Sequence, residues 1–137
     1  MDLPYVVAPI VGYLSAGILK FIVNSLNYKE LAFDRIGLGG MPSTHNTITS
    51  ATFFTVCFVD GVDSPVASVA LAISLVVAID SMDLRQKIAG HALIIKHEFK
   101  DKNVQAAGMK TQLGHRPIEV FAAWVLGLCC GFVVSIF

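Results

Sequence analysis

Two short segments hold the residues best suited to chemistry. In Leu113-Gly-His-Arg-Pro-Ile-Glu119, His115 and Glu119 lie four residues apart. On a helix that spacing brings two side chains to one face, close enough for the carboxylate to hold one imidazole nitrogen. A ring held in this way has a defined tautomer and a more basic second nitrogen, which suits a nucleophile. In Gly39-Gly-Met-Pro-Ser-Thr-His45, the glycines allow close backbone approach, Pro42 is suited to start a helix, and Ser43 and Thr44 are suited to cap it. Free N–H groups at such a start attract an anion, and His45 projects into the same place. The two segments carry the parts of a site in which one histidine attacks, or takes a proton, beside a bound anion.

The elements that must position these residues follow from composition. The chain has 137 residues, of which 55% are hydrophobic and 15% charged, against about 25% charged in an average soluble domain. Ten Lys and Arg balance ten Asp and Glu. These figures exclude a disordered tail, a nucleic-acid binder built on excess basic charge and a disulfide-rich secreted module. One domain, residues 1–137, is expected, all-α and integral to a membrane. Pro4–Val23 and Ile118–Phe137 have the length of spanning helices, roughly 20 residues. Ile48–Val59, with its lead-in Pro42–Thr47, and Val66–Ile79, after Ser64-Pro65, reach about 18 residues once their polar ends are included. Pro65 fits a first helical position, and Asp60–Ser64 reads as a tight turn. The first run lacks the basic lead of a signal peptide. Residues 84–99 read as an amphipathic helix at the membrane surface, and Asn103–Gly108 as a connection.

Four spans place the 24–40 and 81–116 loops on one side. All ten cations fall on or beside that side, with seven acids, for a net charge of +3; Asp2, Asp60 and Asp63 are alone on the other, at −3. Short basic loops stay cytoplasmic, so both loops are expected in the cytoplasm and both termini outside. Lys20, His45, Asp80, His115 and Glu119 then fall at one membrane face. Ionisable groups in such segments are costly and mark function by default. Asp80 is expected to hold Arg85, while Lys29 and Arg35 serve topology and lipid headgroups. His91 and His97 lack the i, i+4 spacing of helical metal ligands and read as surface residues. Cys57, Cys129 and Cys130 read as small apolar packing residues, and Tyr5, Tyr13, Phe132 and Phe137 as interfacial or lipid-facing aromatics. Gly127 and Gly131 have the G-x-x-x-G spacing, which serves either a homo-oligomer or packing within the chain.

Gly39–His45, then Asp80 with Arg85, then Leu113-Gly-His-Arg-Pro-Ile-Glu-Val120, in this order from about Lys20 to the C-terminus, resemble the divergent branch of the type 2 phosphatidic acid phosphatases (PAP2), relatives of acid phosphatases and vanadium haloperoxidases. The resemblance implies a PAP2-like bundle and a lipid-phosphate phosphatase that needs no metal or cofactor. It implies His115 as nucleophile, forming a phosphohistidine, Glu119 as its orienting acid, where the main branch usually has Asp, and His45 as the acid that protonates the leaving oxygen. It gives phosphate-binding roles to Ser43, Thr44 and the Gly40–Thr44 backbone, and to Arg85, Lys20 and Lys110. Lys110 stands where the main branch has an Arg, and the main branch has six spans rather than four. The implied partners are the bilayer and a lipid phosphate such as phosphatidate, phosphatidylglycerophosphate or a polyprenyl (pyro)phosphate, met at the cytoplasmic face of an inner or plasma membrane. A phosphotransferase using the same site, and a non-catalytic scaffold or transport subunit that keeps the site for binding, are the alternatives; the presence of both histidines with their acid argues against the last.

Overall fold

A chain this apolar has few ways to satisfy its backbone in lipid, and the helix satisfies it within each segment. In a computed structural model that describes residues 3–28, 40–98 and 113–137, the regular elements are all helices: α1 (Leu3–Tyr28), α2 (Thr44–Asp60), α3 (Pro65–Met82), α4 (Leu84–Glu98) and α5 (Pro117–Ser135). Three helical stretches are long and apolar enough to cross a membrane: Leu3–Leu26, Pro65–Glu98 and Pro117–Ser135. The second expected span, α2, has 17 residues and is rich in Thr and Ser. It sits at the centre of the bundle and packs against α1, α3 and α5. Its polar side chains therefore meet protein rather than lipid.

Small residues let these helices approach closely, as membrane helices require in the absence of a hydrophobic drive between them. Ala8 and Ala16 of α1, Ala51 of α2, Ala67 and Ala78 of α3 and Ala123 of α5 are all buried. A Cβ on Gly127 would stand 2.0 Å from Ser50 Oγ, and one on Gly131 2.8 Å from the Cβ of Phe54. The G-x-x-x-G pair is thus consumed by α2 of the same chain. Hydroxyls along α2 add bonds at these close approaches: Ser50 Oγ donates to the Asn46 carbonyl at 2.6 Å and lies 3.3 Å from that of Ala123.

The pairings also fix direction. Tyr5 at the start of α1 donates its hydroxyl to the Asp60 carboxylate at the end of α2, so these helices are antiparallel and Tyr5 is a bound rather than lipid-facing aromatic. Ser50 faces Ala123, and Thr55 faces Gly131, so α2 and α5 run parallel. Asn46 near the start of α2 reaches Ser81 near the end of α3. The C-terminal ends of α1 and α3 and the N-terminal ends of α2 and α5 therefore gather at one end of the bundle.

The turns behave as their residues demand. Gly61 has φ +91°, and Ser64, the N-cap of α3, accepts from Val66 N at 3.2 Å with Pro65 at the first helical position. Pro117 starts α5 in the same way. Pro42 differs from expectation: α2 begins at Thr44 with Ser43 as N-cap, because the first helical bond runs from Thr47 N to the Ser43 carbonyl at 3.0 Å. Pro42 belongs to the loop before the helix. The surface helix α4 continues α3 after Asp83 alone, and main-chain bonds cross the junction, from Asp83 N to Ile79 O at 2.9 Å and from Lys87 N to Asp83 O at 3.1 Å. It exposes Ile88, Leu93 and Ile94 between Lys87 at one end and Lys96 and Glu98 at the other, a mixed surface of the kind suited to a membrane interface.

Candidate active site

The site is built where the four helix ends meet. Arg116, the N-cap of α5, donates its N–H to Glu119 Oε2 at 3.3 Å, which ties the carboxylate to the helix start. One turn keeps His115 within reach, and its Nδ1 donates to the same Oε2 at 2.8 Å. A carboxylate can only accept, so the proton of the neutral ring sits on Nδ1 and the lone pair on Nε2. His115 is buried. Its main chain is held as firmly as its ring: the N–H donates to the Ser81 carbonyl at 2.9 Å, and the carbonyl accepts from Gln86 Nε2 at 2.8 Å. Gly114 makes this possible. It has φ +89°, and a Cβ there would stand 2.7 Å from Gln86 Cγ.

The second segment docks on the first. Ser43 N donates to the Glu119 carbonyl at 3.4 Å, so the loop before α2 and the start of α5 are joined directly. Ser43 is fully buried, Thr44 half-buried and His45 exposed. The N-terminal ends of α2 and α5 converge here, and each carries the positive end of a helix dipole.

Cations complete the arrangement. Arg85 Nε donates to Asp80 Oδ2 at 2.9 Å, the pairing expected from the sequence. Both side chains are about one-third exposed, 35% and 34%, which leaves the far edge of the guanidinium open. Lys20 of α1 lies beside Gly40: a Cβ on that glycine would stand 3.6 Å from Lys20 Cε and equally far from Asn24 Oδ1. Arg85, His115, Lys20 and Asp80 all act electrostatically on the His45 imidazole, and Glu119 acts on the Lys20 ammonium. The structure thus brings together Lys20, Gly40, Ser43, His45, Asp80, Arg85, His115 and Glu119. Lys110 lies outside the described residues, as do Gly39, Lys29, Arg35 and the 103–108 connection. Among the described residues no group of three or more His, Cys, Asp or Glu side chains is arranged to hold a metal ion.

Four contributors carry no motif signal of their own: Asn24, Asn46, Ser81 and Gln86. Ser81 and Gln86 hold the backbone of His115 from the α3–α4 junction, at sequence separations of 34 and 29. Asn46 ties Ser43 to Ser81, with its Nδ2 2.9 Å from one hydroxyl and 3.0 Å from the other. Three of them directly follow a candidate site residue: Asn46 follows His45, Ser81 follows Asp80 and Gln86 follows Arg85.

Chemically, the arrangement offers an oriented imidazole whose Nε2 has no partner among the described residues, a second imidazole in its electrostatic reach, and a cation, an ammonium and two helix starts to hold an anion between them. Comparison with known proteins identifies the chain at the level of family. The uncharacterized membrane protein YuiD of Bacillus subtilis (strain 168) is 25% identical over 138 aligned residues, which cover 89% of this chain and 87% of YuiD. No solved structure matches the chain. The profile of the Divergent PAP2 family matches residues 1–130, nearly the whole sequence, and the chain belongs to that family of membrane proteins.

Proposed function

We propose that the protein is a lipid-phosphate phosphatase working through a phosphohistidine. The observation that carries this reading is the 2.8 Å bond from His115 Nδ1 to Glu119, which leaves Nε2 as a nucleophile in the field of Arg85 and Lys20. In the first step Nε2 attacks phosphorus in line, the bond from phosphorus to the ester oxygen breaks, and protonated His45 gives its proton to the departing alcohol oxygen. In the second step water attacks the phosphohistidine, neutral His45 takes a proton from that water, and the N–P bond breaks to return His115 and release phosphate. Arg85, Lys20 and Lys110, with Ser43, Thr44 and the Gly40–Thr44 backbone, hold the non-bridging oxygens. Positioning and positive charge are what phosphoryl transfer asks of a protein.

The site lies at the polar end of an apolar bundle. A headgroup enters there while its acyl or prenyl tails stay in lipid. Net positive charge on this end favours the cytoplasmic face, and lipids made on that side, phosphatidate and phosphatidylglycerophosphate, come before polyprenyl (pyro)phosphates as substrates. The test is phosphate release from these lipids by the purified protein in detergent without added metal. Release is expected from at least one, with inhibition by orthovanadate, which mimics five-coordinate phosphorus. Full activity in both His115→Ala and His45→Ala would overturn the mechanism.

A further inference from the structure

Asn46 is wholly buried, yet its Oδ1 has no hydrogen-bond partner among the described residues. Leaving such an atom unpaired is costly, so the orientation of this amide calls for a reason. The neighbours supply it. Ser81 Oγ donates to the Ala78 carbonyl at 2.9 Å. Its one hydrogen is spent, and towards Asn46 it can only accept. The amide must therefore present Nδ2 to Ser81, at 3.0 Å, and the same nitrogen reaches Ser43 Oγ at 2.9 Å. Ser43 Oγ accepts in turn, and its own hydrogen has no acceptor among the described residues.

A second consequence concerns the start of α2. A serine N-cap ordinarily accepts from an N–H of the first turn. Ser43 is the N-cap, but its side chain makes no such bond, since the amide of Asn46 occupies the oxygen. The N-cap side chain leaves the first-turn N–H groups free, and the serine hydroxyl becomes a donor. Both changes suit an anion. The same amide joins the Ser43 loop to Ser81, whose carbonyl holds the N–H of His115 at 2.9 Å.

We infer that Asn46 is a positioning residue for phosphate binding: its amide turns Ser43 from a helix cap into a hydroxyl donor aimed at a phosphoryl oxygen, and locks the Ser43 loop to the nucleophile's backbone. The inference rests on the phosphatase reading above. Asn46→Asp keeps the shape but offers acceptors alone, so Ser43 would donate to the carboxylate and be lost to the phosphate. Asn46→Ala removes the lock without burying a charge, and stands in if the aspartate variant does not fold.

The experiment measures kcat, KM and orthovanadate inhibition for the full chain in detergent, in wild type, Asn46→Asp, Asn46→Ala, Ser43→Ala and the double variant Ser43→Ala/Asn46→Ala. Melting temperature is followed in parallel. Expected is a weakening of vanadate inhibition and a rise in KM by roughly tenfold or more in each Asn46 variant, the worth of a hydrogen bond to a charged group. The double variant is expected to be no weaker towards vanadate than Ser43→Ala alone. Unchanged KM and vanadate inhibition in Asn46→Ala, or losses that multiply in the double variant, would overturn the inference while leaving the phosphatase reading intact. A wild-type protein that neither releases phosphate from any lipid phosphate nor binds vanadate would overturn both.

Discussion

At the residue scale the central relation is between two side chains one helical turn apart. His115 and Glu119 share Oε2 with the Arg116 N–H, so the carboxylate is fixed from two directions before it fixes the ring. In the proposed mechanism its work is to select the tautomer that leaves the Nε2 lone pair for attack and to stabilise the charge that develops on the imidazole as phosphorus is attacked. Glu119→Gln keeps the shape and removes the charge. The expected outcome is a fall in kcat of about 10²–10⁴-fold with a smaller change in KM, by analogy with other acids that orient a catalytic histidine. A kcat within threefold of wild type would remove Glu119 from the mechanism. Arg85 has a different role, since its Nε is taken by Asp80 at 2.9 Å and its remaining nitrogens have no partner among the described residues. Asp80→Asn frees the guanidinium to wander, and KM for a lipid phosphate is expected to rise several-fold while kcat changes less.

Elements explain how much of this was legible from sequence. The i, i+4 pair, Pro65 and Pro117 at helix starts, and the Asp60–Ser64 turn are local features, and local spacing carries them. The Asp80–Arg85 pair was within reach for the same reason, lying five residues apart at a helix junction. Pro42 misleads because its ring suits a first helical position equally well as a loop, and the hydrogen bond of Thr47 to Ser43 decides the matter. Ser81, Gln86 and Asn46 are ordinary polar residues whose partners lie on other helices, and no periodicity announces such contacts. Gln86 and Gly114 show what this costs a reading from sequence: α4 reads as a surface helix, yet its first turn holds the backbone of His115. Gly114→Ala places a Cβ 2.7 Å from Gln86 Cγ at a φ of +89°. Displacement of His115 is expected to lower kcat by about a hundredfold, the effect of roughly an ångström of misplacement, and to lower the melting temperature as well, since alanine is strained at this φ and its Cβ also meets the Gln86 main chain at 3.0 Å. Gly127 lies at the opposite extreme, far from any chemistry. Gly127→Leu forces α2 and α5 apart where a Cβ alone would stand 2.0 Å from Ser50 Oγ, and a loss of at least about 1–3 kcal/mol is expected from overpacking. Thermal unfolding in detergent measures it, and an unchanged melting temperature would show that these two helices do not depend on close approach.

The whole molecule is organised by polarity along one axis. The end that holds the four converging helix termini also carries Lys20, Arg85, Lys87, Lys96 and Arg116, while the far end carries Asp60 bonded to Tyr5, with Asp63 in the adjoining turn. A net charge of zero therefore conceals a dipolar bundle, and a dipolar bundle has a preferred orientation in a membrane. Short loops rich in Lys and Arg resist translocation, so the cationic end is expected in the cytoplasm, and with it the phosphate site. For the proposed phosphatase this decides which leaflet supplies the substrate. A lipid phosphate newly made on the cytoplasmic side would reach His115 directly, whereas one exposed on the outer leaflet would have to cross first. Ser64→Cys, in the turn at the far end, and Lys96→Cys, on α4, report the two ends independently once Cys57, Cys129 and Cys130 are replaced by alanine. A membrane-impermeant thiol reagent is expected to label Ser64→Cys in intact cells and Lys96→Cys in inverted vesicles. The reverse pattern would place the site on the outer face, reverse the order of candidate substrates, and show that the charge asymmetry serves phosphate binding rather than orientation.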